Sequence, residues 1–448
     1  MSESPSRRQL GRQLDRDIVR LAFPALLTLV AEPMFLLADA AIVGHLGTPQ
    51  LAGLGVAGVV LQTVVGLCVF LAYGTTAAVS RSLGAGDLRR ALALGVDGLW
   101  LAVPVGLAAT VLGVVFAGPL VRAFGADDEV SRQGETYLRI ASFGITPLLL
   151  MLAATGVLRG LQDTRTPLAV AVGGNVLNVV LNLLLVYPAG LGLAGSALGS
   201  VIAQAAMAAA LVVTVVRGAR SHGATLAPDR RGILAAARAG VPLVVRTLTL
   251  RAALLVTTYA VVLAADGDST ELAAHQLAFT IWGFLAFVLD AIAIAAQALT
   301  GRYLGAGDAE EAQAVTRRMI GWGWVTGIVT GLGIAAASPV LPALFTGDDA
   351  VRDLLVPVLL VVAVGQPPCG VVFVLDGVLI GAGDGTYLAW AGLAVLVVFA
   401  PVVLAVAGTT GGLLAVWVVF SAVFMGARAI VLLTRARGDA WLVLGSGR

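Results

Sequence analysis

No lysine occurs in this chain: all 28 basic side chains are arginine. That absence excludes a Walker A loop, which needs GxxxxGK[ST], and any lysine Schiff base, so neither a P-loop motor nor imine chemistry is encoded. Histidine is scarce too, and His45, His222 and His275 stand too far apart for an HExxH zinc site. The two cysteines, Cys68 and Cys369, lie in apolar segments of opposite halves, where they read as small buried hydrophobes rather than a disulfide or metal pair. Charged residues make up only 12% of the 448, against 59% hydrophobic, and the mean hydropathy is +0.96. That balance belongs to a polytopic membrane protein. The 55 glycines suit helices that approach closely through small residues, because lipid supplies no hydrophobic drive for helix association.

Residues 1–17 are polar and carry Arg7, Arg8, Arg12 and Arg16. The apolar segment after them is too long for a signal-peptide core and has no small-residue cleavage site, which predicts a retained helix. Apolar stretches then recur at 18–44, 51–79, 91–117, 132–157, 166–187, 193–216, 233–264, 270–299, 312–336, 351–378, 386–407 and 412–433. Each is long enough to span a bilayer, so twelve transmembrane helices are expected. Assigning loops alternately to two sides tests the count. The side holding both termini collects Arg81, Arg89, Arg90, Arg159, Arg165, Arg217 and most later arginines, whereas the other side has Arg122, Arg132 and Arg352. Arginine bias places both termini in the cytoplasm. A net charge of +2 gives no reason to expect a nucleic-acid partner.

The chain also repeats itself. Leu83–Asp87 (LGAGD) recurs at Leu304–Asp308, Phe124–Asp128 is echoed at Phe345–Asp349, and Gly156-Val157-Leu158 returns as Gly377-Val378-Leu379, all at an offset of 221 residues. Pro24 and Pro242, each early in its helix, differ by 218. Six spans per half is an even number, so both halves share one orientation, and the expected fold is an all-α membrane protein of two parallel six-helix lobes about a pseudo-two-fold axis along the membrane normal. The expected organisation is a tail at 1–17, a lobe at 18–216, a cytoplasmic linker at 217–232, a second lobe at 233–433 and a tail at 434–448. The two LGAGD stretches read as Gly-rich turns between helices rather than phosphate loops.

Charged groups inside the spans mark the candidate sites, because a charge near the bilayer centre costs roughly 2.5–3.5 kcal/mol on insertion scales. Glu32 and Asp39 lie seven residues apart on one face of the first span, with Pro33 between them. Asn175, Asn178 and Asn182 form one polar stripe in the fifth span, and could meet Asp39 at a common depth or act only as interhelical glue. The second half has its own set: Arg246 and Arg251 in the seventh span, Asp290 in the eighth and Asp376 in the tenth. These form either structural ion pairs or a set coupled to substrate and conformation. Asp97 and His275 are expected to face loops or helix ends.

These residues resemble the multidrug and toxic compound extrusion (MATE) transporters, most of all their DinF-type branch. The stretches that carry the resemblance are AEPMFLLADAAIVGHLG in the first span, SRSLGAGD after the second, GVLRGLQDTRTPL at the fourth loop and NVVLN in the fifth span. The second half adds VVRTLTLR, VLDAIAIAAQALTGRYLGAGD and VLDGVLIGAGD. The resemblance implies antiport rather than catalysis: an organic cation or amphipathic compound leaves by alternating access as protons, or sodium ions, enter. It implies a multi-pass monomer in the cytoplasmic membrane, with a small organic substrate, the bilayer as partner and no cofactor besides the coupling ion. Asp39 falls on the family's first-helix aspartate and Asn178 on its fifth-helix asparagine. Asn182 stands where many members have aspartate, and Ser200 where relatives have threonine. Glu32 joins this cation-coupling set as a helper, or serves as a structural group. The seventh-helix glutamate of the sodium-coupled NorM-type relatives is missing, with Leu250 and Arg251 near its place, which favours protons. An alternative reading, a flippase for a lipid-linked precursor, expects more cavity arginines than Arg246 and Arg251.

Overall fold

The computed structural model describes residues 7–408 and 411–445, with side chains from residue 11 onward. Residues 1–6 of the expected N-terminal tail, the side chains of Arg7 and Arg8, and residues 446–448 with Arg448 lie outside the described residues. Among the described residues, twelve helices are long and apolar enough to cross a membrane. In the first half they are α1 (Gly11–Gly44), α2 (Thr48–Gly84), α3 (Leu88–Arg122), α4 (Asp128–Gly160), α5 (Arg165–Val186) and α6 (Gly192–Ser221). In the second half they are α7 (Arg230–Ala265), α8 (Ser269–Gly305), α9 (Ala309–Ala337), α10 (Asp349–Gly381), α11 (Gly385–Ala407) and α12 (Gly412–Arg437). Each coincides with an apolar stretch read from the sequence, and no strand occurs among the described residues. Most helices outrun their apolar stretch, as α8 does by continuing to Gly305. Backbone hydrogen bonding does not stop where the hydrocarbon does.

The repeat is visible in local geometry. Gly86 and Gly307 both turn the chain at φ +78°. Asp87 and Asp308 then accept the backbone N–H of Arg90 and Glu311, each at 2.8 Å, and so cap α3 and α9. The LGAGD stretches are therefore turn-and-cap devices. Helix contacts repeat as well. A Cβ on Gly156 would lie 2.6 Å from the Ala72 carbonyl oxygen, and one on Gly160 would lie 2.9 Å from that of Thr76. At the same offset, Gly377 abuts the backbone of Ala293, and Gly381 that of Gln297, below van der Waals contact for any added Cβ. The α2–α4 and α8–α10 crossings thus use one small-residue spacing, which lets backbones pack where side chains would hold them apart.

By contacts the chain divides into Pro24–Val244 on one side and, on the other, the chain up to Phe23 joined to the chain from Val245 onward. These boundaries fall inside α1 and α7, not at 217–232. Their physical cause is local clamping. Asp15 accepts from Arg318 Nε at 2.7 Å and from Trp322 Nε1 at 2.9 Å, while Leu14, Ile18 and Leu21 are buried, so the start of α1 belongs with α9. Asp97 accepts the Asp229 backbone N–H at 3.2 Å, and Trp100 Nε1 donates to the Leu226 carbonyl at 3.0 Å, so the linker and the start of α7 belong with α3. Asp97 faces a helix end as expected. The C-terminal tail is anchored too, through buried Trp441 and a Gly445 N–H bond to the Leu304 carbonyl of 2.9 Å.

The first unit is cored by Leu71, Val79, Leu101, Leu149, Leu158, Leu211 and Val215. In the second, Trp417 of α12 meets Phe420 edge-on at 5.5 Å between centroids, Phe420 stacks on Phe424 at 5.3 Å, and Phe399 joins Phe424 at 5.1 Å. A stretch of wider π-helical turns at Phe420–Met425 lies within this column. His275 was expected near a loop or helix end, but it is 3% exposed, packs on Trp417 and meets the Thr258 hydroxyl at 3.2 Å. Cys68 and Cys369 are buried free thiols.

Glycine substitutions should rank by these geometries. Gly156→Ala and Gly377→Ala, which press a methyl onto backbone, should each cost about 1–3 kcal/mol. Gly86→Ala and Gly307→Ala meet open space but a left-handed backbone, and should cost about 1–2 kcal/mol. Gly173→Ala, with neither obstacle, should leave thermal unfolding of the purified protein at or above the wild-type temperature.

Candidate functional site

Asp39 lies in the last turns of α1, before its end at Gly44, and is 2% exposed. Three helices aim neutral donors at its carboxylate. Tyr137 Oη of α4 donates to Oδ2 at 3.1 Å, Ser196 Oγ of α6 donates to Oδ1 at 2.8 Å, and Asn182 Nδ2 of α5 also donates to Oδ1. No arginine or histidine contacts it among the described residues. The charge is met by hydrogen bonds alone.

The asparagine stripe builds the floor of this site. Asn178 and Asn182, one turn apart on α5, are both fully buried. Asn178 Nδ2 donates to Ser200 Oγ at 3.0 Å, and Asn182 Nδ2 lies 3.4 Å from Asn178 Oδ1. Asn182 Oδ1 is buried without a hydrogen-bond partner. Gly199, facing it from α6, has no Cβ to fill that space. Asn175 sits on the same stripe but serves as glue, donating to the Ala31 carbonyl of α1 at 2.8 Å. Thus Asp39, Asn178, Asn182 and Ser200 come together, as the sequence suggested. Tyr137 and Ser196 join them, and sequence reasoning missed both. Ser196 stands one turn before Ser200 and shares its face, a signal that was present; Tyr137 sits in an amphipathic stretch that reads as ordinary surface. Glu32 is not part of the cluster. It is exposed on α1 with no hydrogen-bond or ionic partner among the described residues.

The second half holds a different polar centre. Asp376 of α10 accepts from Arg246 Nη2 of α7 at 2.8 Å and from Arg428 of α12. The carboxylate and both guanidinium groups are almost withdrawn from solvent. Arg428 lies inside the last apolar span and was overlooked. Arg251 and Asp290 are half-buried on α7 and α8. Two cations on one anion make Asp376 a clamp among three helices, its own negative charge more than offset. Among the described residues, no group of three or more His, Cys, Asp or Glu is placed to hold a metal ion.

With this geometry in place, comparison with known proteins decides the family. A family model described as MatE matches residues 24–184 and again 242–426, once in each half. The chain belongs to the MATE family. Among its MATE relatives, Protein DETOXIFICATION 44, chloroplastic, from Arabidopsis thaliana is 32% identical over 90% of this chain and 79% of its own length. DNA damage-inducible protein F of Escherichia coli is 28% identical over 83% of this chain and 82% of its own, in keeping with the DinF-type branch. A crystal structure of MATE in the bent conformation superposes with a TM-score of 0.87 over 97% of each chain at 23% identity, a likeness of fold. This MATE chain is therefore a multi-pass membrane protein of a transporter family.

The clamp makes a stability prediction. Asp376→Ala leaves two buried guanidinium groups without their anion and should cost about 3–5 kcal/mol, read as a lowered midpoint of thermal unfolding. Arg428→Met keeps the Asp376–Arg246 pair and should cost less. Equal losses would show that the pairing does not hold the three helices.

Proposed function

We propose that this protein exports organic cations or amphipathic compounds by antiport, with one cation bound at Asp39 in exchange and protons preferred to sodium. The observation that carries the reading is the carboxylate of Asp39, buried among three neutral donors and, among the described residues, no cation. A carboxylate withdrawn from water in that way carries a solvation cost that one bound cation removes. In transport the site would exchange that cation for the hold on substrate.

A proton suits the site because Asn178 and Asn182 are neutral amides, so Asp39 is the only titrating group of the cluster apart from the phenol of Tyr137. A sodium ion would draw on the oxygens of Asp39, Asn182 and Ser196, and the unpartnered Oδ1 of Asn182 keeps that possibility open to test. Asp376, Arg246, Arg251 and Asp290 are assigned to the scaffold and its conformational coupling, since Asp376 already faces two guanidinium groups. Glu32 becomes a secondary candidate. α1 contains Pro24 and Pro33, each removing a backbone donor, so cation binding at Asp39 acts on a helix built to bend. The membrane is the cytoplasmic membrane with both termini on its cytoplasmic side, and the working unit is the monomer. The membrane potential adds roughly 2.3 kcal/mol per charge per 100 mV.

Efflux of a cationic dye from proteoliposomes, under imposed proton and sodium gradients separately, tests this. The proton gradient should drive the wild type. Asp39→Asn should lose gradient-driven efflux, and Tyr137→Phe, which removes one bond to a charged acceptor, should lose about tenfold. Glu32→Gln should keep its gradient dependence. Efflux indifferent to both gradients, or intact in Asp39→Asn, would overturn the reading.

A further inference from the structure

α1 and α7, the first helices of the two halves, begin with arginines in the same register. Arg12 and Arg20 precede Pro24 by twelve and four residues; Arg230 and Arg238 precede Pro242 by the same intervals. All four side chains are exposed, and none has a carboxylate or hydrogen-bond partner among the described residues. Arg16 adds a third exposed guanidinium between the first two. The register continues past the arginines: Phe23 and Leu27 are 60% and 40% exposed, and Val241 and Val245, at the matching places of α7, are 62% and 38% exposed. Three and seven residues beyond Arg20 and Arg238, they lie on the same helix face. Each face therefore changes within about one turn from bare arginine to bare hydrocarbon.

Neither face is free to rotate away. The opposite side of α1 is buried through Leu14, Ile18 and Leu21 and clamped by Asp15 to Arg318 and Trp322. The start of α7 is clamped by Asp97 at the Asp229 N–H. The arginine bias that orients a membrane protein requires only that basic residues lie on one side. It does not require equal spacing from a proline in two helices, nor guanidinium groups left without carboxylates.

We propose that these two faces are binding sites for the phosphate headgroups of anionic phospholipids, one on each half. The arginines of a pair lie about 12 Å apart along the axis, so the outer one meets the phosphate from the water side while the inner one reaches it by snorkelling from the hydrocarbon boundary. Guanidinium groups match phosphate oxygens with two parallel hydrogen bonds, and the exposed apolar residues one turn on meet the acyl chains. The apolar continuation selects a lipid over a soluble anion. One of the two sites lies on the helix that carries Asp39.

Retention of phosphatidylglycerol against phosphatidylcholine by the full-length protein, counted as lipid adducts by native mass spectrometry, tests this. Wild type should retain phosphatidylglycerol preferentially. R12Q/R20Q and R230Q/R238Q should each weaken its association by about thirtyfold at one site, on the scale set by two arginines at an anionic surface. R12K/R20K and R230K/R238K, which keep the charge, should retain most of it and report whether the altered helices still fold. Phosphatidylglycerol retention in both glutamine variants at the wild-type level would overturn the proposal. So would equal retention of the two lipids, or full displacement by millimolar inorganic phosphate.

Discussion

Removing a carboxylate from water costs several kcal/mol unless counter-charge or hydrogen bonds offset it, and the two halves of this protein meet that cost in opposite ways. In the second half Asp376 has two arginines, more positive charge than it needs, and the three helices it joins are locked together. In the first half Asp39 has three neutral donors and, among the described residues, no cation. One arrangement is complete as it stands; the other leaves the place that the proposed coupling cation would take. The difference arises from a few residue types: an amide and hydroxyls on α4, α5 and α6 against arginines on α7 and α12.

The scaffold around these centres owes little to hydrophobic burial, since lipid is as apolar as the helices it surrounds. Close approach does that work, and the chain uses it twice. Gly156 and Gly160 against Ala72 and Thr76 in one half correspond to Gly377 and Gly381 against Ala293 and Gln297 in the other. Turn-and-cap devices at Gly86-Asp87 and Gly307-Asp308 set the start of the following helix in each half. On a frame so closely duplicated, the two halves differ most plainly in their buried polar residues.

Much of this was legible in the sequence. Apolar length alone located all twelve spans, because a helix crossing hydrocarbon has no alternative way to satisfy its backbone. The asparagine stripe pointed at Asp39 because residues at i, i+3 and i+7 share a face. Other features left no such trace. Tyr137 lies far from Asp39 in sequence within a stretch of ordinary surface composition, and only the packing of α4 on α1 brings its hydroxyl to the carboxylate. Arg428 sits in the final turns of a span among other arginines, where position along the chain does not distinguish a buried clamp from a solvated flank. The packing boundaries inside α1 and α7 were hidden for a related reason: loop composition reports where the chain leaves the membrane, not which neighbours a helix end is clamped to.

The most direct test of Asp39 as the cation site is infrared difference spectroscopy of the purified protein in lipid, in which acidification or added sodium perturbs a carboxyl group that can be assigned by substitution. Acid should convert one buried carboxylate band to a protonated carbonyl band, sodium should compete with that change, and both signals should be absent from Asp39→Asn while persisting in Asp376→Asn. The same acid- and sodium-dependent bands in Asp39→Asn as in wild type would contradict the assignment.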